Sequence, residues 1–216
     1  MGDNISSSPL SDAGIWKAWS IVCIAEAGRQ GFAPLGAAQV HVLLYLANTL
    51  ASFFEVTRVR GRVLKRGAYP FYPEVQRELD RMAFSGALLI DRVDFGPRGH
   101  LAPHYSIGPV GEQICKSLLL HSEEAKRTSH LFAELIGACF GRFLESDAAI
   151  GPIDANYGNA DVLEGEVVDF SEWQDENKNM QVARYLIEHL QSLRPDPRRD
   201  GVRLYCDYLD KALALQ

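Results

Sequence analysis

Apolar residues recur at helical spacing over most of this chain, and one stretch near its middle changes to the two-residue alternation of a strand. Asp12 is placed to cap a first helix through Trp16, Trp19, Ile21 and Ile24, which Gly28 and Gly31 bring to an end. A second helix is expected from about Gly36 to Phe54. Val40, Leu43, Leu44, Ala47, Leu50 and Phe54 share one of its faces and Val42 and Leu46 flank it, so most of its circumference needs cover. Thr57 to Gly67 carries basic residues between valines with glycines as punctuation and reads as a loop or short hairpin. Pro73 suits the first turn of a third helix whose stripe is Tyr72, Val75, Leu79 and Met82, with Glu74, Arg77, Glu78 and Arg81 facing outward.

Gly86 closes that helix, and Ala87 to Phe95 reads as a strand whose later half alternates polar and apolar residues. Gly96-Pro97-Arg98-Gly99-His100 is a turn, His104 to Ile107 returns as the antiparallel partner, and Pro109 opens a helix with Val110, Ile114 and Leu118 at four-residue spacing. A longer helix is expected over Glu123 to Glu145, with a broad apolar face of Leu131, Phe132, Leu135, Ile136, Ala138, Phe140 and Phe143. Residues 146–176 hold Gly151-Pro152, Asn156-Tyr157-Gly158-Asn159 and the short apolar patch Val167-Val168, and read as loop with at most one short strand. Val182, Ala183, Leu186, Ile187, Leu190 and Leu193 mark another helix, Arg194-Pro195-Asp196-Pro197 breaks it, and Val202, Tyr205, Leu209 and Ala212 define the last.

The predicted class is therefore mainly α with a small β-hairpin. Two helices followed by helix, strand, wing, strand and helix give a winged helix-turn-helix-like domain over residues 12–121, followed by a helical region over 122–216 that contains an acidic loop at 145–176. Any other small α+β unit with one hairpin would give the same local order, because local order does not fix topology.

With 47% apolar residues in 216, the chain is able to bury a substantial core. Cys23, Cys115, Cys139 and Cys206 are far apart in sequence and form none of the close pairs that a zinc site or redox motif uses, so they read as buried free thiols in a reducing compartment. Met1 to Ser11 lacks the basic start and apolar run of a secretory signal, and the apolar stretch Val40 to Leu50 is too short to span a bilayer, which points to a cytoplasmic protein with no membrane partner.

The net charge of −6 conceals a segregation. Residues 57–142 carry thirteen basic and nine acidic side chains, whereas residues 143–177 carry ten acidic and no basic ones. A basic middle beside an acidic stretch suggests two surfaces with different partners.

Tests for chemistry return nothing recognisable. The sequence has no nucleophile elbow, no GxxxxGK[ST] and no GxGxxG opening a helix, so no catalytic residue and no cofactor is expected. His100 and His104 flank the turn and fit surface or turn residues better than metal ligands. Asp161, Glu164, Glu166, Asp169 and Glu172 match no EF-hand spacing, and no lysine accompanies them as in many nucleases, which leaves a docking surface for a basic partner or a solvated loop. Arg58, Arg60, Arg62, Lys65 and Arg66, extended by Arg77, Arg81 and Arg98, form the best nucleic-acid feature. Their clustering suits phosphates, a protein interface or a solvated loop.

The segment Leu64-Lys65-Arg66 followed by Pro70-Phe71-Tyr72-Pro73-Glu74-Val75-Gln76-Arg77-Glu78-Leu79-Asp80-Arg81, with the apolar helix before it and the hairpin after it, resembles the middle, or accessory, subunits of ABC-three-component and Lamassu-type antiphage systems. The resemblance covers roughly residues 36–120. It implies a non-catalytic subunit that joins an SMC-like ATPase and an effector, often a nuclease, and that meets DNA through the complex. The alternative from the residues alone is a winged-helix transcription regulator whose third helix enters the major groove, a reading that also implies a symmetric dimer.

Overall fold

The computed structural model describes residues 12–59, 61–66, 69–95, 101–140, 163, 165, 167–168, 184–185 and 197–214. Within them the chain is mainly helical with two small antiparallel sheets.

The central element is α1 (Asp12–Arg29), which is buried almost all round from Trp16 to Ala27. Trp16 lies edge-on to Trp19 at 6.1 Å and 5.0 Å from the ring of Tyr72, while Trp19 meets Phe132 edge-on at 5.8 Å. A two-residue strand β1 (Leu35–Gly36) leads into α2 (Ala37–Leu50), whose first turn is capped by the Gln39 carboxamide accepting from the Gly36 N–H at 2.7 Å. Every residue from Val40 to Leu50 is buried, as the sequence pattern requires, and a 3₁₀ turn at Ala51–Phe54 ends in a left-handed Glu55 (φ 55°). By length and composition Ala37–Phe54 is apolar enough to cross a membrane, but 72% of it is packed inside the protein.

The basic stretch forms a hairpin further along than its centre suggested, with β2 (Val63–Arg66) pairing with β3 (Tyr69–Phe71). The Asn48 side chain fixes the approach to it. Its amide donates to the Val59 carbonyl at 3.0 Å and its oxygen accepts from the Val59 N–H at 2.9 Å, which satisfies a buried backbone pair that no strand reaches.

Pro73 opens α3 (Pro73–Phe84) as predicted, and Val75, Leu79 and Met82 are buried with Tyr72 at the N-cap. Glu78 corrects the expectation: it is buried rather than outward, and accepts from Arg81 at 2.6 Å. Gly86 (φ 74°) turns the chain into β4 (Leu88–Phe95), which pairs with β5 (Leu101–Ile107). β5 starts earlier than expected. β1, which the sequence did not signal, adds to the far side of β5 and gives the sheet order β1-β5-β4.

α4 (Pro109–His121) rests on the sheet's entrance through glycine. A Cβ on Gly111 would lie 2.1 Å from the Ala87 carbonyl oxygen, so only glycine permits this approach. The buried positions of α4 are Gly111 and Cys115, and Val110, expected on the apolar face, is exposed. The Ser122 hydroxyl accepts from the Ala125 N–H at 3.1 Å and caps α5 (Glu123–Cys139), which buries Leu131, Phe132, Leu135, Ile136, Ala138 and Cys139. That helix ends before Glu145, because Phe140 is already extended.

The last helix, α6 (Pro197–Ala214), packs on α5 through Val202, Tyr205, Cys206 and Leu209. All four cysteines are free and buried, and Cys139 and Cys206 meet across α5 and α6 with their sulfurs 3.6 Å apart, a pairing that sequence spacing did not reveal. One continuous apolar core runs from α1 and α2 through α3 and α5 to α6. Arg184 and Tyr185 are helical, and the rest of the helix expected from Val182 to Leu193 lies outside the described residues.

Val167-Val168 does form a strand, β6. It pairs antiparallel with β2, Val63 opposite Val168 and Leu64 opposite Val167, and the Gly165 N–H donates to the Lys65 carbonyl at 2.6 Å.

Candidate interaction surface

The basic residues singled out by sequence do not form one positive stripe. Arg58 is half-buried, and its guanidinium pKa is held below the ordinary value by burial and by the nearby charge of Arg184. Arg62 is exposed, with its Nε 4.0 Å from Glu74 at the start of α3. Lys65 is half-buried on β2, where Arg66 pairs through its backbone with Tyr69. Arg77 and Arg81 are exposed on α3, but Arg81 is engaged with Glu78. Arg60 and Arg98 lie outside the described residues.

Arg62 and α3 are therefore brought together as a face on which charge alternates: Arg62, Glu74, Arg77, Asp80, Arg81. Gln76 stitches it further, its amide donating to Asp80 at 2.9 Å and to the Tyr105 hydroxyl at 3.3 Å. Behind this face His41 is buried and structural. Its Nδ1 accepts from the Tyr72 N–H at 3.3 Å, its Nε2 lies 3.3 Å from the Gln76 oxygen, and its ring packs on Phe71 at 4.8 Å. Such a histidine fixes the N-terminus of α3 to α2 and holds no free nitrogen toward a substrate.

His104, expected at the surface or in a turn, is half-buried on β5 and 2.8 Å from Asp94, with Arg92 3.4 Å from the same carboxylate. Asp161, Glu164, Glu166, Asp169 and Glu172 lie outside the described residues. Of that stretch Leu163, Gly165 and β6 are described, and β6 runs along β2. Among the described residues no three His, Cys, Asp or Glu side chains converge as a metal site would require.

Sequence reasoning missed the apolar surface. Phe84 at the end of α3 is 97% exposed, and Leu89, Ile90, Val93, Phe95 and Leu101 are exposed on the β4–β5 hairpin. A strand alternating polar and apolar residues predicts one buried face. Here only the base of that face reaches the core, and the signal lay in the length of the strand, which outruns the helices able to cover it.

Comparison of the chain with protein-family models, with curated proteins and with solved structures returns no significant match.

Proposed function

We propose that residues 12–121 form a winged-helix unit that works as a non-catalytic docking subunit, an accessory part of a complex between an SMC-like ATPase and an effector in antiphage defence. The order α1, β1, α2, α3, β4, β5, interrupted between α2 and α3 by the β2–β3 hairpin, with the sheet arranged β1-β5-β4, supports the winged helix. The observation that carries the docking reading is the outward face of α3, the element that would read a duplex. Between Pro73 and Ser85 it holds Glu74 and Asp80 against Arg77 and Arg81, and Arg81 is already paired with the buried Glu78.

A phosphate backbone needs uncompensated positive charge, because affinity arises from counterions that lysine and arginine displace. A face of alternating sign beside an exposed Phe84 suits a protein partner, which charge complementarity orients and a buried aromatic anchors. In this reading the basic run meets DNA only when the ATPase supplies the rest of the site. Defence, the ATPase and the effector rest on the sequence resemblance.

The test is co-expression of the tagged chain with its neighbouring genes, followed by mass measurement of what co-purifies. A stable assembly with a large coiled-coil ATPase is the expected result. A chain that purifies without partners and binds one defined duplex at about 10⁻⁸ M or tighter would instead make it a transcription regulator.

A further inference from the structure

β4 lies at the edge of its sheet, and none of the described residues pairs with its outer side. It is eight residues long and contains neither proline nor lysine, so of the devices that guard an exposed edge it keeps only the charges of Asp91, Arg92 and Asp94 and a slip in register. One irregularity interrupts it. The register with β5 slips between Ile90 and Arg92, leaving Asp91 bulged, and this slip resets the alternation of side chains. Leu88, Ile90, Val93 and Phe95 thereby fall on one face, opposite Ile107, Tyr105, Pro103 and Leu101 of β5.

The base of that face, Leu88 and Tyr105, belongs to the core. Its outer part is bare, with Ile90 51%, Val93 45%, Phe95 82% and Leu101 66% exposed. The other face carries Arg92, Asp94 and His104.

We propose that β4 is a self-pairing edge: two copies of this chain join their sheets into one continuous antiparallel sheet about a two-fold axis at Val93. The charges select this register. A two-fold that keeps the apolar faces on one side places residues of the same face opposite each other, so the axis near the middle of the exposed strand falls at Arg92, Val93 or Asp94. At Arg92 two guanidinium groups oppose each other, and at Asp94 two carboxylates do. At Val93 each Arg92 faces the Asp94 of the other copy, twice over, while the two valines meet at the axis between the exposed Ile90 and Phe95 side chains. Like charges directly opposite destabilise a strand pair and unlike charges stabilise it. The second copy is thus the occupant that this strand complements with its own sequence, and the pairing is closed, so it ends at a dimer.

The experiment is light scattering of the full chain across a concentration series, with three charge variants. The wild-type chain is expected at twice its 24.0 kDa. Arg92→Asp and Asp94→Arg each convert both cross-strand pairs to like charges and should raise the dimer dissociation constant about tenfold or more. Combining them restores unlike pairs and should restore the dimer, a rescue that mere damage to the hairpin would not give. Val93→Cys should cross-link under mild oxidation, and Leu89→Cys, on the other face and off the axis, should not. A monomer at every concentration overturns the proposal. So does a dimer indifferent to the single reversals, a double variant that stays monomeric, or cross-linking equal at positions 89 and 93.

Discussion

The two hairpins among the described residues are both antiparallel, yet they treat their side chains in opposite ways. β2–β3 turns Val63 and Pro70 into the core and continues into the buried Tyr72, while every residue of β4 after Leu88 is exposed. The first hairpin is held by what lies beneath it, chiefly α2 with its His41. The second packs on α1, α2 and α3 near its base and pairs with β1, but its outer part is held by its own ladder. A hairpin of the first kind spends its apolar residues on stability, and one of the second kind leaves them on the surface.

The largest effect should come from Tyr72. Tyr72→Ala removes a fully buried ring that touches Trp16, and should cost about 3–5 kcal/mol in urea unfolding, whereas Phe95→Ala, an equal truncation on β4, should change stability by about 0.5 kcal/mol or less. A similar loss for Phe95→Ala would mean that the outer part of the second hairpin also rests on the core. Asn48→Ala comes next. It strips both hydrogen bonds from the buried Val59 backbone and should cost about 2 kcal/mol, with the loss read by the same unfolding curves.

Alkaline pH should weaken the buried side selectively. Burial raises the pKa of the Cys23 and Cys115 thiols and of the Tyr72 and Tyr105 hydroxyls, so all four stay protonated in the folded chain at a pH where the unfolded chain has ionised. The unfolded state then binds fewer protons. Stability is therefore level below about pH 7.5, begins to fall as unfolded cysteine ionises around pH 8.5, and falls further as pH rises, with a limiting slope of about 1.4 kcal/mol per pH unit for each ionised group. Melting temperatures between neutrality and pH 11 check this, and Tyr72→Phe should flatten the upper part of the curve.

The smallest effect is that same variant at neutral pH. The Tyr72 hydroxyl is buried without a hydrogen-bond partner among the described residues, so Tyr72→Phe should be neutral or stabilising by up to about 1 kcal/mol. Destabilisation would reveal a partner for the hydroxyl.

Much of this architecture was legible in the sequence because helices advertise themselves locally. The start of α1 at Asp12, the all-round apolar run of α2, Pro73 and Pro109 at helix starts, and the stripe Val202, Tyr205, Leu209 each depend on residues within a few positions of one another. What escaped depends on distant segments. β1 is two residues long and exists because β5 comes to meet it, Glu78 is buried by tertiary packing on a helix side that reads as polar, and Cys139 finds Cys206 only when α6 docks. The surface shows the same division. The arginines were visible as charges, but their engagement with Glu74 and Glu78 was not, and neither was the slip at Asp91 that gathers Ile90, Val93 and Phe95 onto one face.

The pairing of β6 with β2 also sets an order in time. Joining Val63 to Val168 closes a loop that contains α3, the second hairpin, α4 and α5, and the chain entropy of so long a closure is lost before two short rungs return anything. β2 and β3, only two residues apart in sequence, can meet early in folding, whereas β6 must wait until α5 has settled. The last rungs to form are the first to open, so the amide hydrogens of Val167 and Val168 should exchange with solvent well ahead of those in α2.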